Sequence, residues 1–420
     1  MKVRETARIG RAAGSVRGQL LVGACFLLAC VVGKGGLLSG SYADDLPRYQ
    51  QLATLVLHGH VPYRDFYVEY PPGSFVAFLV PELAGGSAYQ LIFKLFMAAC
   101  GVVALLATLR YVSRAGGPAA GSYRAAALWI VAPLVLGPVL LNRYDLWPAA
   151  LTAVALVLLV DGRDVGAGAL LGVAFAAKLY PLLAAPAVAI WILRRSGRRR
   201  LVAAATAFVG SCVLFFGAFV AVAPGGVGFS LESQTVRHLQ VESLGGSILL
   251  ALAKLHHYRD TIVQGFPNAA VLLGSAPQAI AAMGLVLVVA GCAAASLYYW
   301  RGPDDPQRLA LAVSASVLSF IAFGKVLSPQ YLVWLVPLVP LLGGRRAPRI
   351  VGVFLVVLLL TQIEAYYGDP LVALRWPVWI VLARNVLLLG LLGAFVIELR
   401  ETGAVAGTAK PEVPPVPTLG

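Results

Sequence analysis

Apolar runs of about 15 to 25 residues recur along this chain from one end to the other, each long enough for a helix to cross a hydrocarbon layer of roughly 30 Å. Backbone groups in lipid must be satisfied within their own segment, so the crossing elements are helices. Of the 420 residues, 59% are hydrophobic and 12% charged, with a mean hydropathy of +0.82, which excludes a water-soluble globule. The expected fold is therefore an all-α polytopic membrane protein. About twelve transmembrane helices are expected, near 18–39, 88–112, 123–141, 146–160, 165–177, 179–193, 201–222, 275–300, 309–324, 330–342, 350–365 and 377–397. The apolar run at 20–32 continues through Lys34 without a small-residue cleavage site and is read as the first span, not a cleaved leader.

Arg and Lys collect in alternate loops: Lys2 to Arg17, then Arg110, Arg114 and Arg124, then RRSGRRR at 194–200, Arg301 and Arg308, and GGRRAPR at 343–349. By the positive-inside rule these loops are cytoplasmic, which puts both termini inside and makes the chain a multi-pass protein of the cell membrane. The net charge of +14 is then mostly topology and does not imply a nucleic-acid partner. Three stretches are expected: a basic cytoplasmic N-terminus at 1–17, a transmembrane domain at 18–400, and a disordered Pro-rich tail at 401–420 carrying PEVPPVP. All five cysteines lie in apolar segments without metal-site or disulfide spacing and are read as packing residues.

The segments left outside carry charge that topology does not require. The first outer loop, about 40–87, opens with the pair Asp44–Asp45, followed at 46–58 by apolar side chains at the spacing of an interfacial amphipathic helix. The acids suit an N-cap there, but they also place general-base chemistry beside the bilayer. A tiny outer turn holds Arg143 and Asp145, which are also close enough in sequence to pair with each other. Lys178 falls between two spans, where a lysine in apolar company snorkels or meets an anion. The large outer loop, about 223–272, brings Arg237, His238 and Glu242 at spacings read as one helical face, a candidate phosphate or sugar contact. Lys325 and Gln330 follow near the outer boundary, and Arg384 stands within the last span, where it satisfies carbonyls or pairs with Glu364. Tyr63, Tyr67 and Tyr70 suit an aromatic belt at the interface. Early acids and repeated bases on one face suit transfer from a lipid-linked phosphate. A carboxylate takes the acceptor's proton, and cations neutralise the departing phosphate.

These residues resemble the integral-membrane GT-C glycosyltransferases, specifically glycosyltransferase family 87, with a weaker likeness to the enzyme that adds the first mannose of GPI anchors. Four stretches carry the resemblance: Asp45 with Tyr49, Gly59, Pro62–Tyr63 and Tyr70–Pro71–Pro72; GVAFAAKLYPLL at 172–183; LQVESL at 239–244; and KVLSPQYLVWLVPL at 325–338. It implies a GT-C fold, a polyprenyl-phosphate sugar donor, usually of mannose, an extracytoplasmic acceptor such as a glycolipid or cell-wall glycan, and an inverting hexosyltransferase mechanism. Asp45 is the position carried over as catalytic acid/base, with Asp44 beside it. Arg143, Asp145, Lys178, Arg237, His238, Lys325 and Gln330 are the expected contacts to the donor phosphate and sugar. Tyr49, Tyr63, Glu69 and Tyr70 are expected on the acceptor side or at the interface. No metal or other cofactor is expected. Arabinosyl or glucosyl transfer, a secondary transporter, and a non-catalytic protein that binds lipid-linked sugars remain alternatives.

Overall fold

A computed structural model describes residues 15–33, 45–116, 119–265, 269–366 and 377–408. Asp44, Asp369 and Arg375 lie outside the described residues, as does the side chain of Glu364. In chain order the helices are α1 Val16–Val32, α2 Leu46–Leu57, α3 Phe75–Glu82, α4 Tyr89–Arg114, α5 Ala119–Leu136, α6 Pro138–Leu141, α7 Leu146–Val160 and α8 Asp164–Ala177. They continue with α9 Ala185–Val222, α10 Pro224–Thr235, α11 Leu244–Lys254, α12 Ser275–Trp300, α13 Pro306–Phe323, α14 Ala347–Tyr366 and α15 Pro377–Thr408.

Among the described residues helix or 3-10 turn falls in each of the expected spans, and five described segments are long and apolar enough to cross a membrane by length and composition. Two expected spans fall within α9, where RRSGRRR breaks the helix at Gly197, whose φ of +80° is cheap only for glycine. The third expected span is likewise interrupted at Gly137, with φ +54°, before Pro138 starts α6. The span expected at 330–342 is not an α-helix. It is two 3-10 turns, Pro329–Leu335 and Val339–Leu341, because Pro329, Pro337 and Pro340 remove the N–H groups an α-helix would use. Its apolar residues are almost wholly enclosed by neighbouring helices, where irregular backbone is tolerated at membrane depth. The last helix runs to Thr408, beyond the expected boundary at 400, and the remainder of the tail lies outside the described residues.

One small departure from an all-helical chain lies in the loop at 223–272. Leu239–Gln240 (β1), Ile262–Gly265 (β2) and Ala269–Leu272 (β3) form an antiparallel sheet in the order β1-β3-β2, with Leu239 opposite Leu272 and Val263 opposite Val271. The expected helical face through Arg237 and Glu242 is accordingly absent, since α10 ends at Thr235 and the chain turns extended.

Glycines decide how the helices that frame the site approach one another. Gly168 and Gly172, four residues apart on α8, have no room for a Cβ against the Ala204 and Phe208 carbonyls of α9. Such small-residue stripes let helices pack backbone to backbone where water supplies no hydrophobic drive. Gly73, in the YPPGS turn, sits as tightly on the end of α8 at Ala176–Ala177, and Trp147 of α7 donates to the Gly73 carbonyl at 3.3 Å. The first loop, α7 and the end of α8 are thereby locked together.

Candidate active site

These contacts bring the loop residues around one cavity of about 1110 Å³. Asp45, Glu69, Arg143, Lys178, Arg237 and Lys325 face it from six separate parts of the chain, along with His238 and Gln330. Leu182, Leu183, Phe216, Val227 and Phe229 supply a contiguous apolar wall, of which Leu182 and Phe229 are about half exposed at its edge.

Asp45 stands at the N-cap position of α2, yet its side chain makes no capping bond. Its Oδ2 instead meets the Arg143 guanidinium and accepts from the Tyr49 hydroxyl at 3.2 Å. Tyr49 is 1% exposed and its ring stacks on Phe78 at 4.4 Å, with Tyr70 and Tyr144 edge-on. It is a buried support for Asp45 and does not line the cavity, contrary to the acceptor-side expectation. Tyr63 and Tyr70 do line it. They are no aromatic belt: Tyr63 is buried, held at φ +67°, and donates to the Tyr70 carbonyl at 2.6 Å. Tyr67 bonds to Ser233 of α10 at 3.1 Å.

Arg143 and Asp145 do not pair with each other. Asp145, the N-cap residue of α7 and 1% exposed, takes Lys178 Nζ at 2.6 Å and the Trp334 indole N–H at 2.6 Å on the same oxygen. It is therefore a support below the cavity wall and not itself a cavity-lining group. Lys178 is extended past the end of α8, and its ammonium lies 4.5 Å from the Tyr144 ring centre. It does not snorkel: its side chain is 15% exposed and points into a box of aromatic rings that favours a cation.

Arg237 approaches Glu69 at 3.7 Å. Burial pushes the Glu69 carboxyl above the ordinary glutamate range, against the pull of the Tyr70 hydrogen bond and Arg237. Lys325 donates to the Thr235 carbonyl at the end of α10 at 2.5 Å, and burial, with Arg237 nearby, lowers its ammonium pKa. Arg384, 0% exposed, donates to Glu242 O at 2.7 Å, while the side chain of its alternative partner Glu364 lies outside the described residues. Sequence reasoning gave no site role to Gln240, Tyr331 or Trp334, which line the cavity together with Glu242. Their signal was present in LQVESL and SPQYLVW, but two-residue β1 has no periodicity that could aim a side chain. Among the described residues no group of three or more His, Cys, Asp or Glu side chains could hold a metal ion.

The family model for glycosyltransferase family 87 matches residues 67–329, well over half the chain, with Asp45 lying before the matched stretch. No curated protein matches the chain. Solved structures that it resembles include the Archaeoglobus fulgidus oligosaccharyltransferase tethered with an acceptor peptide, with 12% identity and a TM-score of 0.45 over 93% of this chain and 56% of that one. The arabinosyltransferase EmbB from Mycobacterium smegmatis is another, at 16% identity and a TM-score of 0.37, over 92% of this chain and 40% of that one. The chain thus spans about half the length, or less, of the solved proteins it resembles. On that family match the chain belongs to glycosyltransferase family 87, and five of its described segments are long and apolar enough to cross a membrane.

Proposed function

We propose that this chain transfers a hexosyl group, mannosyl in the first instance, from a polyprenyl-phosphate donor to an acceptor hydroxyl on the extracytoplasmic face of the cell membrane. The observation that carries this reading is the convergence of the Asp45 carboxylate and the cations Lys178, Arg237 and Lys325 on a cavity that also has an apolar flank. A sugar phosphate on a long lipid needs both halves of such a site: cations for the phosphate and a greasy flank for the chain. Leu182 and Phe229 at the edge of the wall suit a polyprenyl tail that stays partly in lipid.

In this reading the acceptor hydroxyl attacks the anomeric carbon from the side opposite the phosphate. The new C–O bond forms as the anomeric carbon–phosphate oxygen bond breaks, so configuration inverts. The hydroxyl proton passes to Asp45, and the bond electrons leave on the lipid phosphate, whose added charge Lys178, Arg237 and Lys325 stabilise. Arg143 holds Asp45 before the donor binds and competes for the phosphate afterwards. In this reading the side-chain cations supply the positive charge that stabilises the leaving phosphate. Glu69, Tyr63 and Tyr70 approach from the first loop and suit the acceptor, a glycolipid or cell-wall glycan.

The test is transfer of radiolabelled mannose from polyprenyl phosphate to a membrane lipid extract by the purified chain and its Asp45→Asn variant. A positioned base is worth about 10²–10⁴-fold, so the variant is expected to lose at least a hundredfold in kcat while binding donor normally. Turnover by Asp45→Asn at the wild-type rate would remove Asp45 as the base.

A further inference from the structure

Two fully buried polar side chains of the last helix converge on a single backbone atom. Arg384 and Asn385 are 0% and 1% exposed, and both donate to the carbonyl of Glu242, at 2.7 and 3.1 Å. Arg384 also donates to the Asn385 amide oxygen at 3.1 Å, while Asn385 reaches Ser247 at 3.0 Å. A guanidinium inside an apolar helix is costly and rarely placed without use. Here it grips the residue that turns the chain from β1 into α11.

The side chain of that residue is held from the other direction. Gln240, 6% exposed, donates from Nε2 to Glu242 Oε2 at 2.9 Å, and its own Oε1 accepts from the Leu327 N–H at 3.0 Å. The Gln240 backbone N–H donates to the Lys325 carbonyl at 2.9 Å. Main chain and carboxylate of Glu242 are thus fixed independently, and both Gln240 and Glu242 line the same cavity as Asp45 and Lys178. A carboxylate accepts several hydrogen bonds at once, so one anchored by an amide still accepts from further hydroxyls.

We propose that Glu242 accepts hydrogen bonds from hydroxyls of the transferred sugar and so sets which hexose is used, with Arg384, aided by Asn385, as its positioning residue. The inference rests on the lipid-phosphate donor reading given above. Hexoses differ by the orientation of single hydroxyls, and a site discriminates them only when its polar groups cannot follow the hydroxyl that has moved. Fixing Glu242 through both main chain and side chain supplies that rigidity, and it gives the contact of a buried arginine far along the chain with the Glu242 carbonyl a use.

The experiment measures equilibrium binding of polyprenyl-phosphate mannose, polyprenyl-phosphate glucose and sugar-free polyprenyl phosphate to the full-length chain in lipid nanodiscs, with no acceptor needed. Wild type is expected to prefer one hexosyl donor by about tenfold or more, and Glu242→Gln to weaken that donor by about tenfold to a hundredfold, the worth of a hydrogen bond to a charged group. The preference between donors then falls towards unity, while sugar-free polyprenyl phosphate binds wild type and variant alike. Arg384→Met is expected to reproduce the lost preference, to add nothing in the double variant with Glu242→Gln, and to be partly rescued by Arg384→Lys. Wild type that binds a hexosyl donor while Glu242→Gln keeps the preference within about twofold overturns the sugar contact alone. Arg384→Met or Arg384→Lys that lowers the melting temperature yet keeps the preference in the folded fraction makes Arg384 structural and overturns its positioning role. Wild type that binds none of the three ligands overturns the donor reading and this inference with it.

Discussion

Helix α7 begins at Asp145 and ends against Asp161, and each carboxylate takes a basic residue from another helix. At the first end Asp145 is sealed at 1% exposure and holds one ammonium, Lys178, at 2.6 Å, with the Trp334 indole on the same oxygen. At the second, Asp161 meets Arg110 at 2.6 Å and Arg114 at 3.3 Å, and both arginine side chains are 53% exposed. Some 15 residues of helix, about 22 Å, separate the two arrangements. The arginine-rich end is the more solvated, with two half-exposed arginines of α4 sharing the one carboxylate at the end of α7. At the cavity end the ions are few, enclosed and cross-braced, and they pair between elements distant in sequence. Arg237 with Glu69 and Lys325 with the end of α10 follow the same pattern. Charge with no topological duty has been built into a fixed array, as a site for an anionic substrate requires.

Removing the cation at either end of α7 is the sharpest way to break this contrast. Lys178→Met leaves Asp145 charged and buried, which is expected to cost about 3–5 kcal/mol and to lower the melting temperature in detergent markedly. Adding Asp145→Asn to it should recover a good part of that loss, because the two sites share one interaction. If Lys178→Met melts like wild type, the buried pair is not holding this end of the bundle.

The glycine stripe comes next. Gly172→Leu drives a side chain into the Phe208 carbonyl of α9, and overpacking of this kind costs about 1–3 kcal/mol. Thermal unfolding of the variant, with donor binding measured in parallel, should show both falling together, since α8 carries Lys178 at its end. Unchanged stability would mean that α8 and α9 part without penalty. At the far end of α7, Arg110→Ala is expected to cost about 0–1 kcal/mol, as solvated ion pairs do, and to leave transfer unchanged. A loss as large as that of Lys178→Met would erase the distinction between the two ends.

Acidity offers a finer probe. Burial raises the Glu69 pKa, so Glu69 takes up a proton at a higher pH than a free glutamate. Its attraction to Arg237 is present above that raised pKa and is lost as the pH falls through it. Donor affinity is therefore expected to change on an acid limb lying above the ordinary glutamate range, and Glu69→Gln should flatten that limb. A limb that persists in Glu69→Gln assigns the titration to another group.

Much of this was legible in the sequence because membrane crossing leaves a strong signal. Apolar length located the helices, and α2 fell at Leu46–Leu57 where the amphipathic spacing placed it. The charged residues of the loops expected outside were recognisable as a set, since the positive-inside pattern does not ask for them. Their partners were not legible. Arg143 and Asp145 are two residues apart and turn to different helices, because the short turn between α6 and α7 points their side chains in different directions. The helix expected through Arg237 and His238 gave way to strand β1, whose pairing with Val271 and Leu272 lies some thirty residues later. Whether Lys178 snorkels or meets an anion was not legible, because sequence does not show the Tyr144 ring and Asp145 waiting beside it.

The most direct measurement of the central claim is photocrosslinking of the chain in nanodiscs with a polyprenyl-phosphate mannose that carries a diazirine near the phosphate end of its lipid. Adducts are predicted on Leu182, Leu183 and the residues of α10 around Phe229, and an excess of unlabelled donor should suppress them. Adducts spread over the lipid-facing side of α12, around Leu285 and Val289, and insensitive to unlabelled donor, would contradict the assignment of this cavity as the donor site.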